Sequence, residues 1–301
     1  MKEHTLLVEK YRSKTLDEYV GNENVKLTIS KYLEQNDIQN LIFYGPAGTG
    51  KTTLAKLIVN NLNCDYLYIN ASDERGIETI RDKVQGFASV ASFKPLKIVI
   101  LDEADFLTIQ AQASLRSVIE TFSRSTRFIL TCNFVERIID PLQSRCQVLK
   151  IVPPSIKDVA RHVAGILDKE NIQWDKETLG TIVKQFYPDV RKILGTAQLS
   201  TIDNALKLDK SILVSNNYIE QVINELKTNK NWKNIRQIIT DSNINDYDEL
   251  FKVLYENVST YAGGNEGMVV IILEEYQYHA NFRIDKEINI MACIAKIIQM
   301  L

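Results

Sequence analysis

The segment that constrains this chain most is Gly45-Pro46-Ala47-Gly48-Thr49-Gly50-Lys51-Thr52. It has the spacing G-x-x-x-x-G-K-[ST] and lies between an apolar run, Leu41–Tyr44, and a helical pattern, Thr52–Leu62. A glycine-rich passage from strand to helix lets backbone N–H groups converge on phosphate oxygens. The helix that follows presents its N-terminus to the same anion. The spacing predicts Lys51 at the β- and γ-phosphates of a nucleotide and Thr52 as a ligand of Mg2+. Gly48, Thr49, Gly50 and Thr53 complete the expected cradle.

Around this loop the first half of the chain alternates short apolar runs with helical patterns. Tyr66–Asn70, Ile98–Leu101, Phe128–Thr131 and Val148–Val152 read as strands, the last three as strands buried on both faces. Ile77–Val90 and Gln110–Phe122 read as amphipathic helices between them. Strands alternating with helices imply α/β architecture, a parallel sheet covered on both sides. The alternation stops at Pro153-Pro154, a strong breaker. Beyond it Ile156–Glu170, Lys176–Gln185, Val190–Leu206 and Tyr218–Leu226 read as helices. From Lys233 the pattern is helical to the end, with a break at Ala262–Gly267. Three parts are expected: an α/β domain over 1–154, a small helical domain over 155–215 and a second helical domain over 216–301.

Two further motifs fall at strand ends, where ligands bind in open α/β sheets. Ile98-Val99-Ile100-Leu101 runs into Asp102-Glu103-Ala104-Asp105. Asp102 is expected to hold Mg2+, directly or through water. Glu103, one residue on, can activate a water for attack on a γ-phosphate. Thr131-Cys132-Asn133 ends the next run, and Asn133 there can orient the attacking water. An acidic loop capping a helix, or an Asn in a turn, is the plainer reading of either motif alone.

Composition excludes several classes. Hydrophobic residues are 45% and charged residues 25% of 301, as in ordinary globular chains. The apolar runs are too short for a membrane span, and the charged start MKEHTLLVEKYR is unlike a signal peptide, so a cytoplasmic location is expected. A net charge of −2 carries no global nucleic-acid signature, though a local basic stripe remains compatible with it. Cys64, Cys132, Cys146 and Cys293 form no C-x-x-C pair and read as reduced, mostly buried thiols. His4, His162 and His279 stand apart from one another, and none is given a catalytic role.

The three motifs in this order resemble the AAA+ branch of phosphate-loop ATPases, over the first domain and the helical lid after it. The resemblance makes Asn133 the sensor-1 residue. Tyr187-Pro188-Asp189-Val190-Arg191-Lys192 resembles the sensor-2 helix, with Arg191 reaching the γ-phosphate. Val8-Glu9-Lys10-Tyr11-Arg12 resembles the V-E-K-Y-R-P box of clamp-loader ATPase subunits, Ser13 standing where that box has proline. In those subunits the box lies against adenine with the segment equivalent to Leu16–Gly21. Val8, Glu9, Lys10, Tyr11 and Val20 are therefore expected at the base. Asn70-Ala71-Ser72-Asp73-Glu74-Arg75-Gly76-Ile77 and Ser144-Arg145-Cys146 are similar to the N-A-S-D-x-R-G-I and S-R-C boxes of replication factor C small subunits.

The resemblance implies an ATPase that uses ATP and Mg2+ to open a ring-shaped sliding clamp and load it on primer–template DNA. It implies a pentameric hetero-oligomer holding several copies of this chain and a companion subunit, with the last domain as a helical collar. Arg145 would act as an arginine finger in the ATP site of a neighbouring subunit. Gln277-Tyr278-His279-Ala280-Asn281 is similar to the last domain of the large loader subunit of T4-like phages, which would place the protein in a host cytoplasm. DNA contact is expected from Arg75 and Arg81, Lys83 being a weaker candidate, without sequence preference. As an ordinary surface charge Arg81 would instead pair with Glu78 or Asp82. The competing reading is another AAA+ DNA machine, a helicase loader or a branch-migration motor.

Overall fold

The apolar runs of the first half find their backbone hydrogen bonds in one parallel sheet. The computed structural model describes residues 6–207, 210–242, 247–280, 282, 283 and 285–301; His4 and Asn281 lie outside them. The chain divides into two units, Met1–Lys207 and Leu208–Leu301.

The first unit opens with α1 (Leu7–Lys10) and α2 (Glu23–Gln35). Then come β1 (Leu41–Tyr44), α3 (Lys51–Asn61), β2 (Cys64–Asn70), a π-helical segment over Thr79–Gln85 and α4 (Gly86–Ser89). After β3 (Leu96–Asp102), α5 (Ile109–Thr121), β4 (Thr126–Cys132), α6 (Asp140–Gln143) and β5 (Gln147–Lys150), the sheet order is β2-β3-β4-β1-β5. Every pairing is parallel, so the loops after β1, β3 and β4 emerge side by side at one edge of the sheet. Near the centre, β3 is buried at all seven positions, Lys97 and Asp102 included; the apolar run Ile98–Leu101 predicts its middle. One face of the sheet packs Ile98, Ile100 and Ile129 with Leu54 and Ile58 of α3. The other packs Val99, Leu101 and Leu130 with Leu115 and Ile119 of α5.

Three local expectations are corrected. Val148–Val152 is not doubly buried, because β5 is an edge strand; Val148 is 37% and Val152 52% exposed. The helix expected over Ile77–Val90 is π-helical through Thr79–Gln85, the wider turn burying Ile80 and Val84 while Arg81 stays exposed. The helix expected to reach Leu206 stops at Leu199. A hairpin follows, β6 (Thr201–Ile202) and β7 (Ala205–Leu206). Asp203 and Asn204 supply its two-residue turn at φ 52° and 55°, which Asp and Asn tolerate.

Between the sheet and that hairpin lie α7 (Ile156–Lys169), α8 (Lys176–Phe186) and α9 (Val190–Leu199). Each starts on a side-chain cap, from Ser155, Asp175 and Asp189 respectively. Their apolar faces meet through Val163, Leu167, Ile182 and Ile193, and Leu7 of α1 joins that core.

The second unit is helical: α10 (Lys210–Thr228), α11 (Trp232–Asp241), α12 (Asp248–Glu256), α13 (Val258–Tyr261), α14 (Glu266–Ala280) and α15 (Lys286–Met300). Val222, Ile235, Phe251, Ile272 and Ile294 lie in its core. Because α10 is continuous through Ser215, the unit boundary falls at 207/208, ahead of the one expected from the sequence. No described helix is long and apolar enough to cross a membrane.

The loops at the active edge are tied together from beneath by Gln112, which is 1% exposed. Its amide donates to the carbonyls of Leu107 and Arg137 at 3.2 and 3.0 Å and accepts from the N–H of Ile139 at 2.8 Å. Gln112→Leu keeps the volume and leaves these groups unpaired. It should destabilise the first unit by about 2–3 kcal/mol, read as a lower urea midpoint. An unchanged midpoint would contradict this.

Candidate active site

The phosphate loop leaves β1 at the active edge and enters α3 at Lys51. Its conformation demands glycine. Gly48 has φ 72°, and a Cβ there would lie 2.0 Å from Asp189 Oδ1. Gly50 has φ 91°, and a Cβ would press on the Tyr19 ring at 2.9 Å. Tyr19, 3% exposed, supports the loop from behind and donates to the Thr49 carbonyl at 3.3 Å. The buried Lys51 ammonium donates to the carbonyls of Gly45 and Pro46 at 2.9 and 2.8 Å. Burial lowers its pKa, opposed by Cys132, Asp102 and Asp105.

Asp102 ends β3 directly opposite Thr52. The Thr52 hydroxyl donates to Asp102 Oδ1 and Oδ2 at 2.8 and 3.0 Å. Tyr68 of β2 donates to Oδ2 at 2.7 Å, and Thr131 of β4 donates to Oδ1. Asp102, Thr131 and Tyr68 share a face parity with Ile100, Ile129 and Tyr66, the side of the sheet on which α3 packs. The grouping is thus a consequence of strand register. Carboxylate and hydroxyl oxygens are hard donors, the type Mg2+ selects, so Asp102 and Thr52 fit that ion.

Glu103 sits at φ 55°, left-handed for a residue with a Cβ. Such backbone costs about 1–3 kcal/mol and persists where the surroundings enforce it. Its N–H donates to Thr131 Oγ1 at 3.1 Å, so one hydroxyl holds both acids. Asn133 follows β4, between the ends of β3 and β1. Asp105 Oδ2 shapes that turn, accepting from the N–H groups of Asn133 and Phe134 at 3.2 and 3.3 Å. Asp105 Oδ1 is buried without a partner among the described residues.

Beside the loop lies an open cleft. Val8, Tyr11, Val20, Gly48, Thr49, Gly50, Thr53 and Arg191 line it, drawn from α1 and the segment after it, the phosphate loop, the start of α3 and α9; the sequence reading expected all of them at the base and phosphates. His162 also lines it, and burial holds its imidazole below the usual range. The Glu9 and Lys10 side chains are exposed and turned elsewhere: Glu9 pairs with Arg12 at 2.5 Å and Lys10 with Glu170 at 2.6 Å. Tyr11 donates to Glu170 at 2.5 Å, fixing α1 on α7.

Arg145 is not brought to this cleft. It precedes β5, and the register Leu41↔Gln147 puts it at the opposite edge of the sheet from Gly45. There its Nε donates to Glu120 Oε1 at 2.6 Å, which lowers the Glu120 pKa, and its Nη1 donates to the Pro141 carbonyl at 2.6 Å. Arg75 and Arg81 are exposed, and neither has an ion pair among the described residues; Lys83 is paired with Glu74 at 2.6 Å.

Motif reading left three contributors unassigned. Thr131 lay inside a quoted motif, and its hydroxyl at the strand end was the available signal. Asp105 lay inside another. Tyr68, an alternating tyrosine on an edge strand, gave none.

This sheet order, loop and acid pair define an AAA-type ATPase. Residues 41–154 match the ATPase family associated with various cellular activities (AAA). The chain is 33% identical to a replication factor C small subunit of Sulfurisphaera tokodaii over 99% of its own length and 96% of that protein. It is 42% identical to the replication factor C small subunit of Haloarcula marismortui over 65% of this chain, an alignment that spans 62% of that protein. The chain belongs to the replication factor C small-subunit family and is a clamp-loader ATPase. Its fold is similar to that of the Thermotoga maritima RuvB Holliday junction branch migration motor: TM-score 0.57, 18% identity, 72% of this chain and 79% of that one.

The double role of Thr131 is testable. Thr131→Val removes the hydroxyl at constant shape and should lower ATP turnover about 10²-fold with nucleotide affinity retained. Thr131→Ser should restore most of it. Equal turnover in the Val variant and the parent would contradict the role.

Proposed function

We propose that this chain opens a ring-shaped sliding clamp and places it on primer–template DNA, in a pentameric hetero-oligomer with several copies of itself and a companion subunit. Similarity to a replication factor C small subunit across nearly the whole chain carries the reading. The likeness to a branch-migration motor is one of fold alone at 18% identity, so it does not favour the competing reading.

In this proposal Lys51 and the loop N–H groups bind the β- and γ-phosphates of ATP. Thr52 and Asp102 would hold Mg2+, which neutralises phosphate charge when bound. Glu103 takes the proton of an attacking water that Asn133 orients. Arg191 reaches the γ-phosphate within the same subunit; it lines the cleft and lies near enough to Lys51 to lower its pKa. Val8, Tyr11 and Val20 pack on the base, with the backbone of Glu9 and Lys10 beside them. Arg145 acts on the ATP of a neighbouring subunit. Support comes from strand register: the three steps of β1 and β5 put about 10 Å of strand between Arg145 and its own phosphate loop.

Arg75 and Arg81 are proposed as phosphate contacts, which agrees with their exposure and with their having no ion pair among the described residues. The helices of 155–207 act as the lid and the second unit as the collar. On α14 the exposed Met268, Ile271 and Tyr278, with Phe282 beyond, recur at helical spacing and suit a collar contact. Kinship with the loader of T4-like phages, and with it a host cytoplasm, rests on Gln277-Tyr278-His279 of the same helix.

Two measurements test this. ATP turnover by the assembled loader should rise sharply when clamp and primer–template DNA are both present; turnover indifferent to the clamp would overturn the reading. Replacing Arg75 and Arg81 with Ala should weaken primer–template binding about equally across sequences. It should also reduce the slope of log affinity against log salt by about 2. Unchanged affinity and slope would remove both arginines from the DNA surface.

A further inference from the structure

Asp102 is 6% exposed, and its carboxylate receives hydroxyls from three separate elements. Thr52 belongs to the phosphate loop and Thr131 to the adjoining central strand. The third, Tyr68, comes from the edge strand β2 and reaches in from outside. The register pairs Asn70, not Tyr68, with Asp102. Asn70 is engaged elsewhere: its Oδ1 accepts from the N–H and the hydroxyl of Ser72 at 3.1 and 3.0 Å. Tyr68, two residues back on the same face, spans the diagonal to the acid, a separation a long aromatic side chain can bridge.

Tyr68 is itself 37% exposed, so its hydroxyl could be satisfied by water. It is directed instead onto Oδ2 at 2.7 Å. Lys56 Nζ of α3 lies 4.6 Å from the ring centroid, a contact with the ring and not with the hydroxyl. Lys56 is one turn beyond Thr52 on the same helix face. Tyr68 therefore joins α3, which carries one proposed metal ligand, to the strand end that carries the other. A carboxylate offers about four acceptor positions. With Thr131 on Oδ1 and Tyr68 on Oδ2, rotation of the group about its Cβ–Cγ bond is opposed from both sides.

We propose that Tyr68 is a positioning residue for the Mg2+ site, its hydroxyl fixing the plane of the Asp102 carboxylate. This rests on the reading of Asp102 as a metal-binding acid. Outer partners of metal ligands are worth about 10–100-fold in metal affinity. The lower end is expected here, because Thr131 still holds the other oxygen. Without the Tyr68 hydroxyl, Asp102 Oδ2 still accepts from the Thr52 hydroxyl at 3.0 Å, so no buried acceptor is stranded and thermal stability should not change.

The test titrates Mg2+ into the chain with a fluorescent ATP analogue, following anisotropy, and separately follows ATP turnover at rising Mg2+. Tyr68→Phe keeps the ring and its Lys56 contact. It should raise the half-saturating Mg2+ about tenfold in both titrations, with turnover restored at high Mg2+ and an unchanged melting temperature. Lys56→Met, which keeps the hydroxyl, should titrate like the parent. Asp102→Asn is the reference and should shift further. A Tyr68→Phe titration that superimposes on the parent while Asp102→Asn shifts would overturn the proposal. So would a Lys56→Met shift as large as that of Tyr68→Phe, which would assign the effect to ring packing. If Asp102→Asn does not shift, the assignment of Asp102 to the metal fails and the proposal fails with it.

Discussion

The chemistry of the first unit depends on the meeting of Thr52 with Asp102. One residue opens α3 and the other closes β3, and the hydroxyl spans both carboxylate oxygens at 2.8 and 3.0 Å. A parallel sheet makes that meeting possible, because it delivers every strand end to one edge. The order β3-β4-β1 then sets Asn133 between the acids and the phosphate loop. Close packing of the loop against Tyr19 behind and Asp189 in front leaves room only for glycine at the contact points. The start of α9 and the loop are consequently in direct contact, so a change in one is felt by the other.

Much of this was legible in the sequence, for identifiable reasons. The unbroken run Ile98–Leu101 betrays a strand covered on both faces, and glycine spacing betrays a loop that wraps an anion. Both signals are local. What escaped depends on neighbours. Whether Val148 is buried depends on whether β5 has a second partner strand, which no short window reveals. The π-helical widening at Thr79–Gln85 and the Asp203-Asn204 turn are settled by packing and by two left-handed residues inside a stretch that reads as helix. Tyr68 is the instructive case in the site: its role follows from a diagonal across two strands, and Asn70 in the direct position is occupied by Ser72.

The same register that gathers one set of groups separates another. Arg145 lies at the far edge of the sheet and is held outward by Glu120, at the base of α5. Glu120 is exposed and Arg145 half-buried, and surface pairs of this kind contribute little net stability. Exchange of Glu120 for a phosphate on another molecule therefore meets little resistance. In the proposed reading, each subunit carries most of a hydrolytic site on one edge of its sheet and the finger for its neighbour on the other, which would link turnover to assembly.

The most direct test of this account mixes two inactive variants. Subunits carrying Arg145→Ala are combined with subunits carrying Lys51→Ala, with mixed assembly verified, and ATP turnover is followed in the presence of clamp and DNA. An arginine finger is worth about 10³–10⁵ in rate, so each variant alone should be nearly silent. If the arginine acts between subunits, some interfaces in the mixture join an intact phosphate loop to an intact finger, and activity returns in part. If it acts within its own subunit, every chain in the mixture has a fatal defect, and turnover stays at the level of the separate variants, which would contradict the account.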